Sequence, residues 1–260
     1  MQTIVLANQK GGCCKTTTAS TLAHGLYQRG YKVLCVDLDP QSNLTFGFGG
    51  DVMGPVSLYD VFRGQASTGD ILQHIRINGL DLITGGLNLS AADMEFTQTG
   101  REYMLRECLE GMQEDYDYCI IDTAPTLGIL TVNALTAADM VIIPLTADAF
   151  AIQGLGQLNL LIERIRKYSN RNLQIAGLLV TKYDDRTNIT KALMERIHGS
   201  AEKLGTRVFK QPIRKSVAVR EVQLFQSDIF SEAPKSNAAK DYNAFLDELL
   251  ELLADDGKEN

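Results

Sequence analysis

The segment NQKGGCCKTTTAS, Asn8 to Ser20, places a lysine and a hydroxyl, Lys15 and Thr16, behind a run of small residues. A glycine turn between a buried strand and a helix exposes main-chain N–H groups at the positive end of the helix dipole, which suits phosphate. The strict pattern G-x-x-x-x-G-K-[ST] is not met, because Gln9 and Cys14 stand at its two glycine positions. The bland alternative is a simple turn with Lys15 as a solvated cation. It suffers because a lysine at a helix N-terminus is repelled by the dipole unless an anion offsets it. Two further segments supply carboxylates, each expected just beyond a strand: VDLDPQSN carries Asp37 and Asp39, and IIDTAPTLG carries Asp122. With Thr16 these can converge on a magnesium ion bridging phosphates, the arrangement that phosphoryl transfer needs.

Such a site needs a sheet behind it. Short β-branched runs recur at TIVLA (3–7), KVLCVD (32–37), LDLIT (80–84), DYCIID (117–122), MVIIPL (140–145) and QIAGLLVT (174–181). Between them lie amphipathic stretches such as Leu158, Leu161, Ile162 and Ile165, at helical spacing. Apolar strands separated by helices predict an α/β fold: a mainly parallel, twisted sheet with helices on both faces. The 260 residues are read as one domain without linkers or repeats. Its expected parts are a phosphate loop at 8–18, a basic region at about 181–220 and a C-terminal amphipathic helix at about 237–254. The glycine-rich FGFGGDVMGP (46–55) is expected to be a surface loop. Ligands on such sheets bind beyond the carboxyl ends of the strands, where all the motif residues fall.

Four ordered motifs carry a resemblance: K-G-G-x-x-K-T-T-T at Lys10 to Thr18, D-L-D-P-Q at Asp37 to Gln41, I-I-D-T-A-P-T-L-G at Ile120 to Gly128, and TKYDDRTN at Thr181 to Asn188. They resemble the deviant Walker A ATPases and, within these, the ParA/Soj partition proteins, over nearly the whole chain. The resemblance implies a single-domain P-loop NTPase that binds ATP and Mg2+. It implies that Lys15 holds the β- and γ-phosphates and that Thr16 ligates magnesium. Lys10 would reach a partner subunit's nucleotide, Asp122 would support the magnesium shell, and Asp39 would orient the attacking water and stand near the metal. Gly11, Gly12, Cys13, Cys14 and Thr17 would wrap the phosphates, with Pro212 beside the nucleotide. Arg186, Lys215 and Arg220 would meet DNA. The implied partners are a second copy of the chain, nonspecific double-stranded DNA and a ParB-like stimulatory protein, in a cytoplasmic, nucleoid-associated setting.

Cys14 departs from the family's usual glycine. If its φ is positive, a Cβ there costs on the order of 1 kcal/mol or more and weakens nucleotide binding several-fold. Because the loop uses main-chain donors, ATP binding is expected to survive. A cationic loop at a helix N-terminus is also expected to lower the thiol pKa of Cys13 or Cys14, which would make an oxidation-sensitive switch; the bland and favoured alternative is two tolerated small residues. The other cysteines, Cys35, Cys108 and Cys119, read as core filler. The odd count and the absence of a leader-like segment ahead of TIVLA predict a cytosolic protein with reduced thiols.

The net charge of −7 hides an asymmetry. Residues 161–240 hold 16 Lys and Arg against 8 Asp and Glu, a net of +8, while the remainder holds 9 against 24, a net of −15. A polyanion would therefore meet this stretch, where Arg207, Lys210, Arg214, Lys215 and Arg220 cluster. No aromatic stacking platform accompanies them, so contacts would go to phosphates without sequence readout.

Two rival classes share the loop. A MinD-like membrane switch would end in a basic amphipathic helix. The stripe Tyr242, Phe245, Leu246, Leu249, Leu250 and Leu253 instead backs onto Asp247, Glu248, Glu251, Asp255 and Asp256, which anionic lipid repels, so the stripe is expected to dock on the core. A metabolic ligase of the dethiobiotin or cobyrinate amide synthetase kind would need a small-molecule pocket. The nitrogenase iron protein also shares the loop but needs surface cysteines for its cluster. His24, His74 and His198 show no metal-ligand spacing, and His24 reads as structural.

Overall fold

The computed structural model describes residues 1–74, 80–148, 151–184 and 188–256. Its strands are β1 (Gln2–Leu6), β2 (Val33–Leu38), β3 (Leu72–His74), β4 (Leu80–Ile83), β5 (Tyr118–Thr123), β6 (Met140–Thr146) and β7 (Gln174–Thr181). They form one sheet in the order β3-β4-β2-β5-β1-β6-β7. Every pairing is parallel except β3 with β4. Six of the seven strands fall on the β-branched runs, within a residue or so. The exception, β3, is a three-residue antiparallel edge strand with no apolar run to announce it.

Helices α1 (Lys15–Gln28), α2 (Asn43–Gly47), α3 (Leu58–Phe62), α4 (Thr68–Ile71), α5 (Ala92–Glu95), α6 (Met104–Glu110), α7 (Ile129–Ala137) and α8 (Ala151–Tyr168) follow in chain order. They continue as α9 (Asn188–Lys203), α10 (Ala218–Leu224), α11 (Ile229–Glu232) and α12 (Asn237–Asp256). Alternate strand residues serve opposite faces. Val5, Val36, Ile121 and Val141 pack with Leu130, Leu158, Ile162 and Ile197 on one side. Ile4, Cys35, Ile120 and Ile142 pack with Leu22, Leu26, Phe245 and Leu249 on the other.

Helix α12 is therefore core. Tyr242, Phe245, Leu246 and Leu249 are all but inaccessible, and Phe245 meets Phe209 edge to face at 4.8 Å. Its acidic side is tied down as well: Asp247 pairs with Arg29 at 2.6 Å, and Glu248 accepts the Lys210 N–H. Helices α1 and α12 approach closely at Gly25, where a Cβ would lie 2.3 Å from the buried Leu246 side chain. The 46–55 stretch is a surface loop only in part. Phe46 and Gly47 close α2, and Phe48 is buried against His24 with ring centroids 4.9 Å apart. Among the described residues, no helix is long and apolar enough to cross a membrane.

Candidate functional site

Strand register assembles the site. Leu6 of β1 lies beside Asp122 of β5, and Asp122 lies beside Asp37 of β2. The loop leaving β1 thus starts next to two carboxylates that stand within their strands, one step earlier than the sequence suggested. Asn8 pins that loop: its amide donates to Pro144 O at 2.7 Å and its oxygen accepts the Lys10 N–H at 3.0 Å. Thr181, at the end of β7, donates to Cys13 O at 3.1 Å, and Cys13 Sγ donates to Lys10 O at 3.2 Å. Thr18 N donates to Cys14 O at 2.8 Å and closes the first turn of α1. Thr18 also shares a 3.2 Å hydrogen bond with Tyr242 of α12.

Within the loop, Gly12 has φ +73 and Cys14 has φ +67. The costly branch for Cys14 is therefore the real one: a residue with a Cβ occupies the left-handed region that favours glycine. The expectation for its thiol is overturned. Burial raises the pKa of both Cys13 and Cys14, outweighing Lys15 at the first and Lys182 at the second. Removing a thiolate from water outweighs nearby cations here, so neither sulfur is poised as a nucleophile. Cys35 and Cys119 are fully buried, and Cys108 packs partly buried against the core.

Lys15 is 7% exposed and its ammonium donates to Lys10 O at 3.3 Å. Lys10 pairs with Asp148 and donates to Thr146 Oγ1 at 3.2 Å, so its ammonium lies on its own subunit's β6 end. Asp39 lines the cleft just after β2; its carboxylate accepts the Gln41 N–H at 3.0 Å. Asp37 lies beneath it, fully buried. Its carboxylate accepts from Thr45 N and Thr45 Oγ1, both at 2.8 Å, and from Asp39 N at 3.1 Å. Burial nevertheless pushes its pKa from 3.8 to about 6.

Asp122 decides whether the residues present fit magnesium. Both its oxygens are buried and without a hydrogen-bond partner. Burial, then repulsion from Asp37, lifts its pKa well above the carboxylate range, while Thr16 and Lys15 pull the other way without closing a hydrogen bond. A buried carboxylate left unsatisfied is costly, and a divalent cation answers it. Among the described residues no group of three or more His, Cys, Asp or Glu forms a metal cage. That suits magnesium, which takes one or two protein ligands and completes its shell with water and phosphate oxygens. The donor set fits.

Asp37 and Asp122 lie beneath the surface of a cleft of about 880 Å3, whose lining includes Gly11, Gly12, Cys14 to Thr17, Asp39, Pro125 and Lys182. Ile213, Arg214, Lys215, Ser216 and Arg220 form another wall. Pro212 is half-buried and is not part of that lining; its neighbours Ile213 and Arg214 are. Lys215 and Arg220 are exposed at the cleft wall, on the same side of the molecule as the phosphate loop. Arg214 is committed elsewhere, to Asp241, at 2.6 Å. Arg186 lies outside the described residues. His24 is structural as expected, its Nδ1 on Ser20 O at 2.9 Å and its pKa lowered by burial. Sequence reasoning gave no separate role to Asn8 or Lys182 and placed Tyr242 only in the stripe expected to dock on the core, because their contacts join strands and helices far apart in the chain.

A parallel sheet with a glycine loop at its central strand, a Lys-Thr pair opening the next helix and carboxylates on the neighbouring strands defines a P-loop nucleotide-binding protein. The family described as "AAA domain" matches residues 1–175. The chain is 39% identical over 229 residues to the chromosome partitioning protein ParA of Caulobacter vibrioides, covering 86% of this chain and 85% of that protein. It is 37% identical to the sporulation initiation inhibitor protein Soj of Bacillus subtilis, covering 92% and 94%. The crystal structure of cobyrinic acid a,c-diamide synthase from Mycobacterium smegmatis, with bound ATP analog and magnesium, superposes with a TM-score of 0.85 at 34% identity, covering 96% of this chain and 94% of that one. The chain belongs to the ParA/Soj family of partition ATPases.

Proposed function

We propose that this chain is an ATP-driven DNA-partitioning switch: magnesium-ATP brings two subunits together, the pair holds DNA nonspecifically, and hydrolysis stimulated by a partner protein releases it. The observation that carries the nucleotide half is that the phosphate loop, Lys15 and Thr16 line the cleft, with the buried, partnerless Asp122 close behind Thr16 and Lys15. Main-chain N–H groups from Gly12 to Thr17 would hold the phosphates, and Lys15 would neutralise them. When bound, magnesium would offset charge on the β- and γ-phosphoryl oxygens, held by Thr16 with Asp122 in support. Asp39, buried but at the cleft surface, would orient the attacking water.

The DNA half is supported by the basic stretch and by Lys215 and Arg220 exposed at the cleft wall. Arg186 is proposed as a third contact on sequence grounds, and a ParB-like protein as the stimulating partner. The bound magnesium and ATP analog named for the Mycobacterium smegmatis structure support the cofactor choice, and the partitioning proteins named above support the process. The synthase name attached to that structure favours one second reading, a metabolic amide ligase.

Sedimentation with and without magnesium-ATP and DNA tests the proposal. A shift to a dimer with ATP, joined by DNA and lost in Lys15→Ala, is expected. ATP turnover raised by a small-molecule acid, and indifferent to DNA plus a partner, would establish the ligase instead.

A further inference from the structure

We propose that Lys182 is an additional phosphate-binding cation of this cleft, reaching the bound nucleotide across the Gly12–Cys14 side of the loop. The assignment rests on reading the cleft as a nucleotide site. Lys182 follows Thr181, whose hydroxyl is bonded to both Cys13 O at 3.1 Å and Leu145 O at 3.2 Å. On its other side Tyr183 N donates to Ile213 O at 2.9 Å, and Tyr183 O accepts Lys215 N at 3.2 Å. Clamped at both flanks, Lys182 leaves the strand with φ +52. A lysine gains nothing from that conformation, which disfavours any residue with a Cβ, and strain of this kind persists where surrounding structure imposes it.

The turn carries the side chain over the phosphate loop. Its ammonium lies 4.0 Å from where a Cβ on Gly12 would stand, and it acts on the Cys14 sulfur strongly enough to oppose the effect of burial there. Lys182 lines the cleft, and among the described residues its ammonium makes no hydrogen bond or ion pair. Cations held against main-chain phosphate donors attract polyphosphate, and the attraction grows with the number of phosphate charges.

The test uses Lys182→Asn, because asparagine tolerates the left-handed region and removes the charge without adding strain. Lys182→Arg keeps the charge. Magnesium-ATP and magnesium-ADP binding are measured by calorimetry, and adenosine by competition with a fluorescent ATP analogue. Expected are a melting temperature no lower than wild type, an affinity for magnesium-ATP about tenfold weaker in Lys182→Asn, a smaller loss for ADP, no loss for adenosine, and recovery to within about threefold in Lys182→Arg. Unchanged ATP affinity in Lys182→Asn, or an equal loss for adenosine and ATP, would overturn the assignment. Failure of the wild-type chain to bind magnesium-ATP would instead remove the nucleotide reading on which it rests.

Discussion

Cys14 holds a left-handed backbone at φ +67 as part of the folded loop, so its cost falls on the stability of the fold rather than, as the sequence suggested, on nucleotide affinity. A Cβ in that region costs about 1–2 kcal/mol, and glycine returns about 0.4–1 kcal/mol of that through the freedom of the unfolded chain. Cys14→Gly should therefore raise the melting temperature by about 2–4 °C, while magnesium-ATP affinity moves by less than about threefold. Calorimetry on reduced protein checks both. The paired carboxylates give a second expectation. Asp37 and Asp122 hold their protons more tightly folded than unfolded, so their effect on stability is harmless below about pH 4 and grows as pH rises. For Asp37 the window runs from 3.8 to about 6. Asp122→Asn, which resembles the protonated acid, should unfold at higher urea than wild type at pH 7 and at nearly the same urea at pH 4. Its magnesium-dependent ATP turnover should fall by 100-fold or more, on the scale of losing a transition-state charge contact. A variant no more stable than wild type at pH 7 would contradict the account of Asp122 as an unsatisfied buried acid.

Among the elements, what the sequence showed and what it hid have separate physical causes. Strands β1, β2 and β5 to β7 were legible because each is buried on both faces and so reads as a mostly apolar run, interrupted in β2 and β5 by Asp37 and Asp122. Helix α12 was legible from its stripe, which docks on the core as the sequence suggested. Strand β3 was hidden because three edge residues carry no pattern. The pairing of Asp37 with Asp122 was hidden because it depends on the register of β2 against β5, which no local signal records. Lys182 fell inside the TKYDDRTN motif and the basic stretch but drew no role of its own, since a positive φ at lysine has no sequence signature. Because α12 docks on the sheet, Phe245→Ala should cost about 3–5 kcal/mol of unfolding free energy, and the wild-type chain should not float with anionic liposomes in the presence of ATP. Flotation with ATP would show that α12 can leave the core.

At the scale of the whole molecule, charge separation gives the proposed switch its gain. If each subunit neutralises about three phosphates, the slope of log affinity against log salt is about −2.7 for one subunit and about −5.4 for two. A nonhydrolysable ATP analogue should move the measured slope from the shallow value to the steep one; a shallow slope in its presence would contradict coupling between dimerisation and DNA binding. All of this stands on the claim that main-chain donors between Gly12 and Thr17 retain a triphosphate although a thiol has replaced a glycine hydrogen. The most direct measurement is calorimetric titration of the reduced wild-type chain with magnesium-ATP beside Cys14→Gly and Lys15→Ala. The account predicts binding by the first two at similar affinity and none by the third, whereas heat from the glycine variant alone would contradict it.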